Sequence, residues 1–201
     1  MIVTKLEPVG TKKVRLYLDE DRYCLLYKNE VWKLSLREEV QVSGDKFKEL
    51  NDMLLHRSKL KVMSLLKHSS RTRKELENRL HRLEFPEEII AGAIAYVEGY
   101  HYIDDQLYVR NYISYYGQIR SKKKMQFDLL KKGITFDFFD KVWDEFDFNQ
   151  DDILEEQMKK RIRIKGPITK ANYQKNFNFF LRKGFPSSNV SRMMKDYLLD
   201  E

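Results

Sequence analysis

Two adjacent carboxylates, Asp104 and Asp105, lie in the stretch GYHYIDDQLYVRNYI, between an aromatic cluster and an apolar pattern. Such a pair can be catalytic, can hold a cation, or can open a helix. Aspartate is a favoured helix N-cap because its carboxylate accepts backbone N–H groups and interacts favourably with the helix dipole. Two neighbours at a helix start point apart, so the pair reads as punctuation. A second acidic run, Asp147-Phe148-Asn149-Gln150-Asp151, matches the opening ligands of a calcium loop. The glycine that loop needs at its sixth position is Asp152, however, and the bidentate glutamate at its twelfth is Met158. This run reads as a connector and helix cap. His56, His68, His81 and His101 have no zinc spacing and no cysteine partners. No phosphate-binding glycine loop, dinucleotide turn or nucleophile elbow occurs. The expectation is a protein with no catalytic residues, no metal and no cofactor.

Basic surface is what remains. Arg71 and Arg73, then Arg120, Lys122, Lys123 and Lys124, fall near the starts of corresponding helices, where they would line one side of a stacked array. Lys159, Lys160, Arg161, Arg163 and Lys165 close another helix, where the dipole alone favours cations. Each cluster is either a solvated face or a contact with a protein or nucleic acid. The net charge of +7 is concentrated late, residues 151–201 holding 11 basic against 7 acidic side chains. Tyr112, Tyr115 and Tyr116 interleave with this region, at a spacing that suits a core face better than a base-stacking platform.

The elements that must position these residues differ along the chain. With 201 residues, 42% of them apolar, there is enough chain for one large or two small domains, while 34% charged residues favour much exposed helical surface and an elongated shape. The lone Cys24, in the apolar run YCLLY, excludes an internal disulfide, fits a reducing cytoplasm and reads as a buried small hydrophobe. No signal-type apolar segment and no membrane span is expected. Val14, Leu16 and Leu18 alternate with Arg15 and Tyr17, predicting a half-buried strand; a second apolar run after Asp19–Arg22 completes a β-hairpin. A short helix is expected over 29–36. From Ser43 a longer one follows, with Phe47, Leu50 and Leu54 at helical spacing.

From Ser58 onward the pattern is helical and repeats with a period near 50. LHRLEFPEEIIAGAI (80–94), LLKKGITFDFFDKVW (129–143) and FLRKGFPSSNVSRMM (180–194) are corresponding segments. Each unit holds three helices, with apolar faces such as Leu76, Leu80 and Leu83, then Ile89, Ile90, Ala93, Ile94 and Val97 in the first. Thr72 and Glu75 form a capping-box pattern, and Pro86 suits the first turn of a helix. So small a unit buries too little alone, and neighbours should stack. The expected organisation is a lead segment over 1–57 and three repeats over 58–104, 105–150 and 151–201. The fold class is mainly α, a β-hairpin followed by tandem three-helix repeats.

The ordered set SSRTRKELENRL (69–80), GYHYIDDQLYVRNYI, LLKKGI (129–134) and FLRKGF (180–185) resembles the motifs of the RecX family, bacterial regulators of the RecA recombinase. The resemblance covers residues 58–201, with Val109 standing where the family motif has alanine. It implies a curved row of three-helix repeats and a non-enzymatic protein; a monomer is expected. It also implies binding in the groove of the RecA filament on single-stranded DNA and limitation of filament growth, ATP hydrolysis, strand exchange and coprotease activity. Auxiliary contact with single- or double-stranded DNA is compatible. The competing expectation is a helical-repeat protein acting directly on nucleic acid.

Overall fold

A computed structural model describes residues 1–199. The chain divides into two compact units, residues 1–104 and the remainder. The first opens with a three-stranded antiparallel sheet of β1 (Val3–Val9), β2 (Lys13–Leu18) and β3 (Asp21–Tyr27), in that spatial order. The predicted hairpin is β2–β3: Leu16 pairs Cys24 and Val14 pairs Leu26, and the two-residue turn places Asp19 and Glu20 at positive φ of 49° and 73°. The strand missing from the sequence reading is β1. It is an edge strand whose proline, Pro8, pairs Val14, and only Val3 is fully buried along it, so it lacks the alternation that betrays a half-buried strand. Burial pushes the Cys24 thiol up to about 12, so it packs as an inert hydrophobe.

Helix α1 (Lys28–Lys33) is shorter than the stretch expected over 29–36. Leu34 and Leu36 nonetheless bury their side chains beyond its end. Helix α2 (Gly44–His68) runs unbroken through positions 57 and 58, with Leu50, Leu54 and Val62 along its buried face. α3 (Arg73–His81) and α4 (Glu87–Gly99) complete the first three-helix set. Thr72 Oγ1 accepts from the Glu75 amide at 3.3 Å and the Thr72 amide donates to Glu75 Oε2 at 3.1 Å, the reciprocal cap the spacing predicts. Pro86 sits one position earlier than expected, as the N-cap of α4, with Glu87 and Glu88 in the first turn. Strands and helices share one core, in which Leu16, Cys24 and Leu26 meet Leu50, Leu54 and Ile94. Each fully buried aliphatic side chain contributes about 1.5–3 kcal/mol by leaving water.

The second unit holds two further sets. α5 (Asp105–Tyr116), α6 (Lys122–Leu130) and α7 (Phe136–Trp143) enclose Val109, Ile113, Met125, Leu129 and Phe139. α8 (Gln150–Lys165), α9 (Tyr173–Arg182) and α10 (Ser187–Asp196) enclose Leu154, Met158, Phe180, Val190 and Met194. Phe148 packs against both cores, and a Cβ on the buried Gly117 would lie 2.3 Å from its ring, so only glycine lets the ring in. Asp105 is the first residue of α5, so the acidic pair lies at a helix start.

The link between second and third helices is built alike three times. The amides of Glu84, Gly133 and Gly184 donate to His81, Leu130 and Leu181, and those of Phe85, Ile134 and Phe185 donate to Leu80, Leu129 and Phe180. This is the Schellman pattern of a helix end, and it marks the corresponding positions of the three sets.

Candidate protein and nucleic-acid interface

The eleven basic residues singled out by sequence separate into neutralised and open ones. Arg73 donates to Glu77 and Glu98, each at 2.8 Å. Arg120 lies 3.8 Å over the Tyr116 ring, donates to the Tyr112 hydroxyl at 2.9 Å and pairs with Asp128 at 3.1 Å. Lys124 pairs with the other oxygen of Asp128 at 2.8 Å, and Lys122 with Asp140 at 2.7 Å. Lys159 pairs with Glu155 at 2.9 Å, which lifts the lysine and holds Glu155 below the usual carboxylate range. Arg161 donates to Asn176 Oδ1 at 2.6 Å and lies 3.8 Å over Phe179. Arg71 is half-buried, its Nε shielded without a hydrogen-bond partner.

Lys123, Lys160, Arg163 and Lys165 are exposed and have no ion pair among the described residues. The last three follow one another along the final turns of α8. Exposed cations keep their hydration and remain available to an anionic partner, whereas pairing has already discharged most of the others.

The remaining sequence-level candidates are structural. Tyr112 and Tyr116 are half-buried against the core of their set, while Tyr115 is 73% exposed. In the calcium-like run, Asn149 caps α8 by accepting from the Asp151 amide at 3.0 Å. Asp151 accepts from Asn189 at 2.7 Å and from Arg192 at 2.5 Å, contacts that hold its carboxyl low and tie α8 to α10. That run is a cap and a brace.

Two features escaped the sequence reading. One is a tyrosine ladder: Tyr96 and Tyr100 lie 4.9 Å apart, and Tyr100 and Tyr102 stack at 5.9 Å, with Lys59 4.7 Å over Tyr96. The other is the pair Phe127 and Phe136, 45% and 39% exposed, in edge-to-face contact at 5.6 Å. The signal for the second lay in the repeat register, which puts polar residues at both corresponding positions of the other two sets.

Fold and surface together define a helical-repeat protein led by a small β-sheet, in which no helix among the described residues is long and apolar enough to cross a membrane. Comparison with known proteins gives that class a family likeness. A family model for RecX, first three-helix domain, matches residues 59–96. Regulatory protein RecX of Clostridioides difficile (strain 630) is 25% identical over 206 residues, covering 98% of this chain and 96% of the relative. Regulatory protein RecX of Clostridium acetobutylicum is 24% identical, covering 96% and 95%. A crystal structure of regulatory protein RecX superposes with a TM-score of 0.61 at 20% identity over 97% of this chain and 98% of the other. The structure of RecX from Lactobacillus salivarius gives 0.58 at 20% identity, over 73% and 97%. The RecX resemblance carried by the four motifs is upheld, and the likeness is to proteins named as regulatory.

Proposed function

We propose that the protein binds the RecA filament on single-stranded DNA, within its groove, and restrains filament growth, ATP hydrolysis, strand exchange and coprotease activity. The observation that carries this reading is the full-length likeness to proteins named Regulatory protein RecX, joined to the ordered motifs at repeat spacing. The protein acts by binding, without catalysis or cofactor, as a monomer in the cytoplasm. Its working divisions are the lead segment 1–57 and the repeats 58–104, 105–150 and 151–201. Lys123, Lys160, Arg163 and Lys165, exposed and free of ion pairs among the described residues, are the first contacts to test; Arg73, Arg120, Lys122, Lys124 and Lys159, held in ion pairs, and the half-buried Arg71 and Arg161 come second.

The test is single-stranded-DNA-dependent ATP hydrolysis by the cognate RecA, titrated with this protein. Suppression well below one molecule per RecA protomer supports the reading; unchanged hydrolysis removes it. A second reading, direct binding of nucleic acid, is favoured by the open cations of α8. It predicts affinity for DNA without RecA, and a log-log salt slope that rises with the number of phosphates neutralised.

A further inference from the structure

The repeats supply an internal control for what a residue on this scaffold is there to do. Register through Leu80, Leu129 and Phe180 aligns Phe127 with Asn78 and Asn178; register through Phe85, Ile134 and Phe185 aligns Phe136 with Glu87 and Ser187. The four counterparts are polar and exposed. The fold therefore places no demand for an aromatic at either position, and burial does not account for rings this exposed.

The two rings form one wall of a groove of about 730 Å³ that continues over Leu181 and Phe185 of the third repeat. Its rim is basic. Lys122 and Lys123 line it, and none of the described residues lining it is acidic. α6 opens with three lysines and has no acid in its first turn, which sets cations against the positive end of the helix dipole. Asp128 and Asp140 offset Lys124 and Lys122, leaving Lys123 uncompensated among the described residues. α10 starts beside the same groove at Ser187, behind a proline N-cap that offers no side-chain acceptor for its first amides. An incoming carboxylate would meet Lys123 and the first amides of α10 next to an apolar floor; on α6, Gln150 Oε1 already accepts from the Lys122 amide at 2.8 Å and Ser121 Oγ from the Lys124 amide at 3.2 Å.

We infer that the groove between the second and third repeats seats an acidic segment of a partner protein carrying large apolar side chains, with Phe127 and Phe136 as its anchors. Its identity as a RecA contact rests on the proposed function, but the groove and its chemistry do not.

The test uses the full chain and a short fluorescein-labelled peptide of aspartate and glutamate interrupted by two phenylalanines. The double variant Phe127→Asn, Phe136→Ser installs the residues the third repeat carries at these positions, so it should unfold at the wild-type temperature. Saturable binding by the wild type, weakened at least about tenfold in the double variant, is the expected result. Lys123→Glu should weaken it roughly threefold and flatten its salt dependence. Equal binding by the double variant, equal binding of a peptide with serine in place of phenylalanine, or no binding by the wild type would overturn the inference. So would a concentration-dependent dimer that only the double variant loses, since the occupant would then be a second copy. If the double variant suppresses RecA hydrolysis as well as the wild type does, the groove is not the RecA contact while the RecA reading stands. Peptide binding at the groove with no effect of the wild type on hydrolysis would leave the groove and remove RecA.

Discussion

The turn between second and third helices carries Glu84 in the first repeat and glycine, Gly133 and Gly184, in the others, all at positive φ of 60°, 87° and 89°. The left-handed conformation costs a side-chain-bearing residue on the order of 1 kcal/mol, which glycine avoids. Gly184 has a further reason: a Cβ there would meet Ser121 Oγ at 2.6 Å, where that hydroxyl donates to the Lys183 carbonyl, also at 2.6 Å. Glu84 has the opposite reason. Its carboxylate accepts from Arg15 Nε at 2.7 Å and Nη2 at 2.9 Å and pairs with Arg22 at 3.3 Å, fastening the first repeat to the sheet. One backbone geometry thus serves close approach between two repeats in one place and a long-range ionic tie in another.

The largest test of this contrast is Gly184→Ala. Strain and the clash with Ser121 together should destabilise the protein by about 2–4 kcal/mol, read as a fall in the urea midpoint; an unchanged midpoint would show that the two repeats are not held by this approach. Next is Glu84→Ala, which removes the tie while keeping the strain and should cost about 1–2 kcal/mol after allowance for solvent screening. Glu84→Gly removes both, and should be more stable than Glu84→Ala by about 1 kcal/mol. If the two variants unfold alike, the left-handed turn carries no strain worth relieving.

His101 extends the comparison to the end of α4. It too is left-handed, at φ 55°, with its amide donating to Glu98 and that of Tyr102 to Val97 in the same Schellman pattern. Its side chain is exposed, so His101→Gly should stabilise the protein by roughly 0.5–1 kcal/mol in the same denaturation experiment.

The smallest effect is in pH. The hydrogen bond from Arg15, ahead of the opposing cost of burial, holds the Glu84 carboxyl below its ordinary value of 4.5. A carboxylate depressed on folding contributes stability that is full above the unfolded value and is lost as pH falls through the folded one. Wild type should therefore lose stability below about pH 4.5 faster than Glu84→Gln does, and parallel acid-unfolding curves would dismiss the tie as an energetic contributor.

Local chemistry was legible from residue order alone. The Thr72–Glu75 cap, the buried faces through Leu76 and Leu80 or Met125 and Leu129, and the turns at LLKKGI and FLRKGF depend on neighbours three to five positions apart. Spacing therefore reveals them, as it revealed the 50-residue period and the motifs of the RecX type. Edge strand β1 stayed hidden because it buries one face only at Val3, and its pairing comes from β2 rather than from its own pattern. Tertiary structure alone decided which cations are discharged. Arg15 and Glu84 are 69 positions apart, Lys122 finds Asp140 on another helix, and Lys123, between two paired lysines, finds no carboxylate among the described residues. It likewise decided that Phe127 and Phe136 would face a basic groove instead of a core. Hydrophobic period records which face of a helix turns inward, but partners across helices are chosen by packing, and the sequence order of two side chains says nothing of the distance between them.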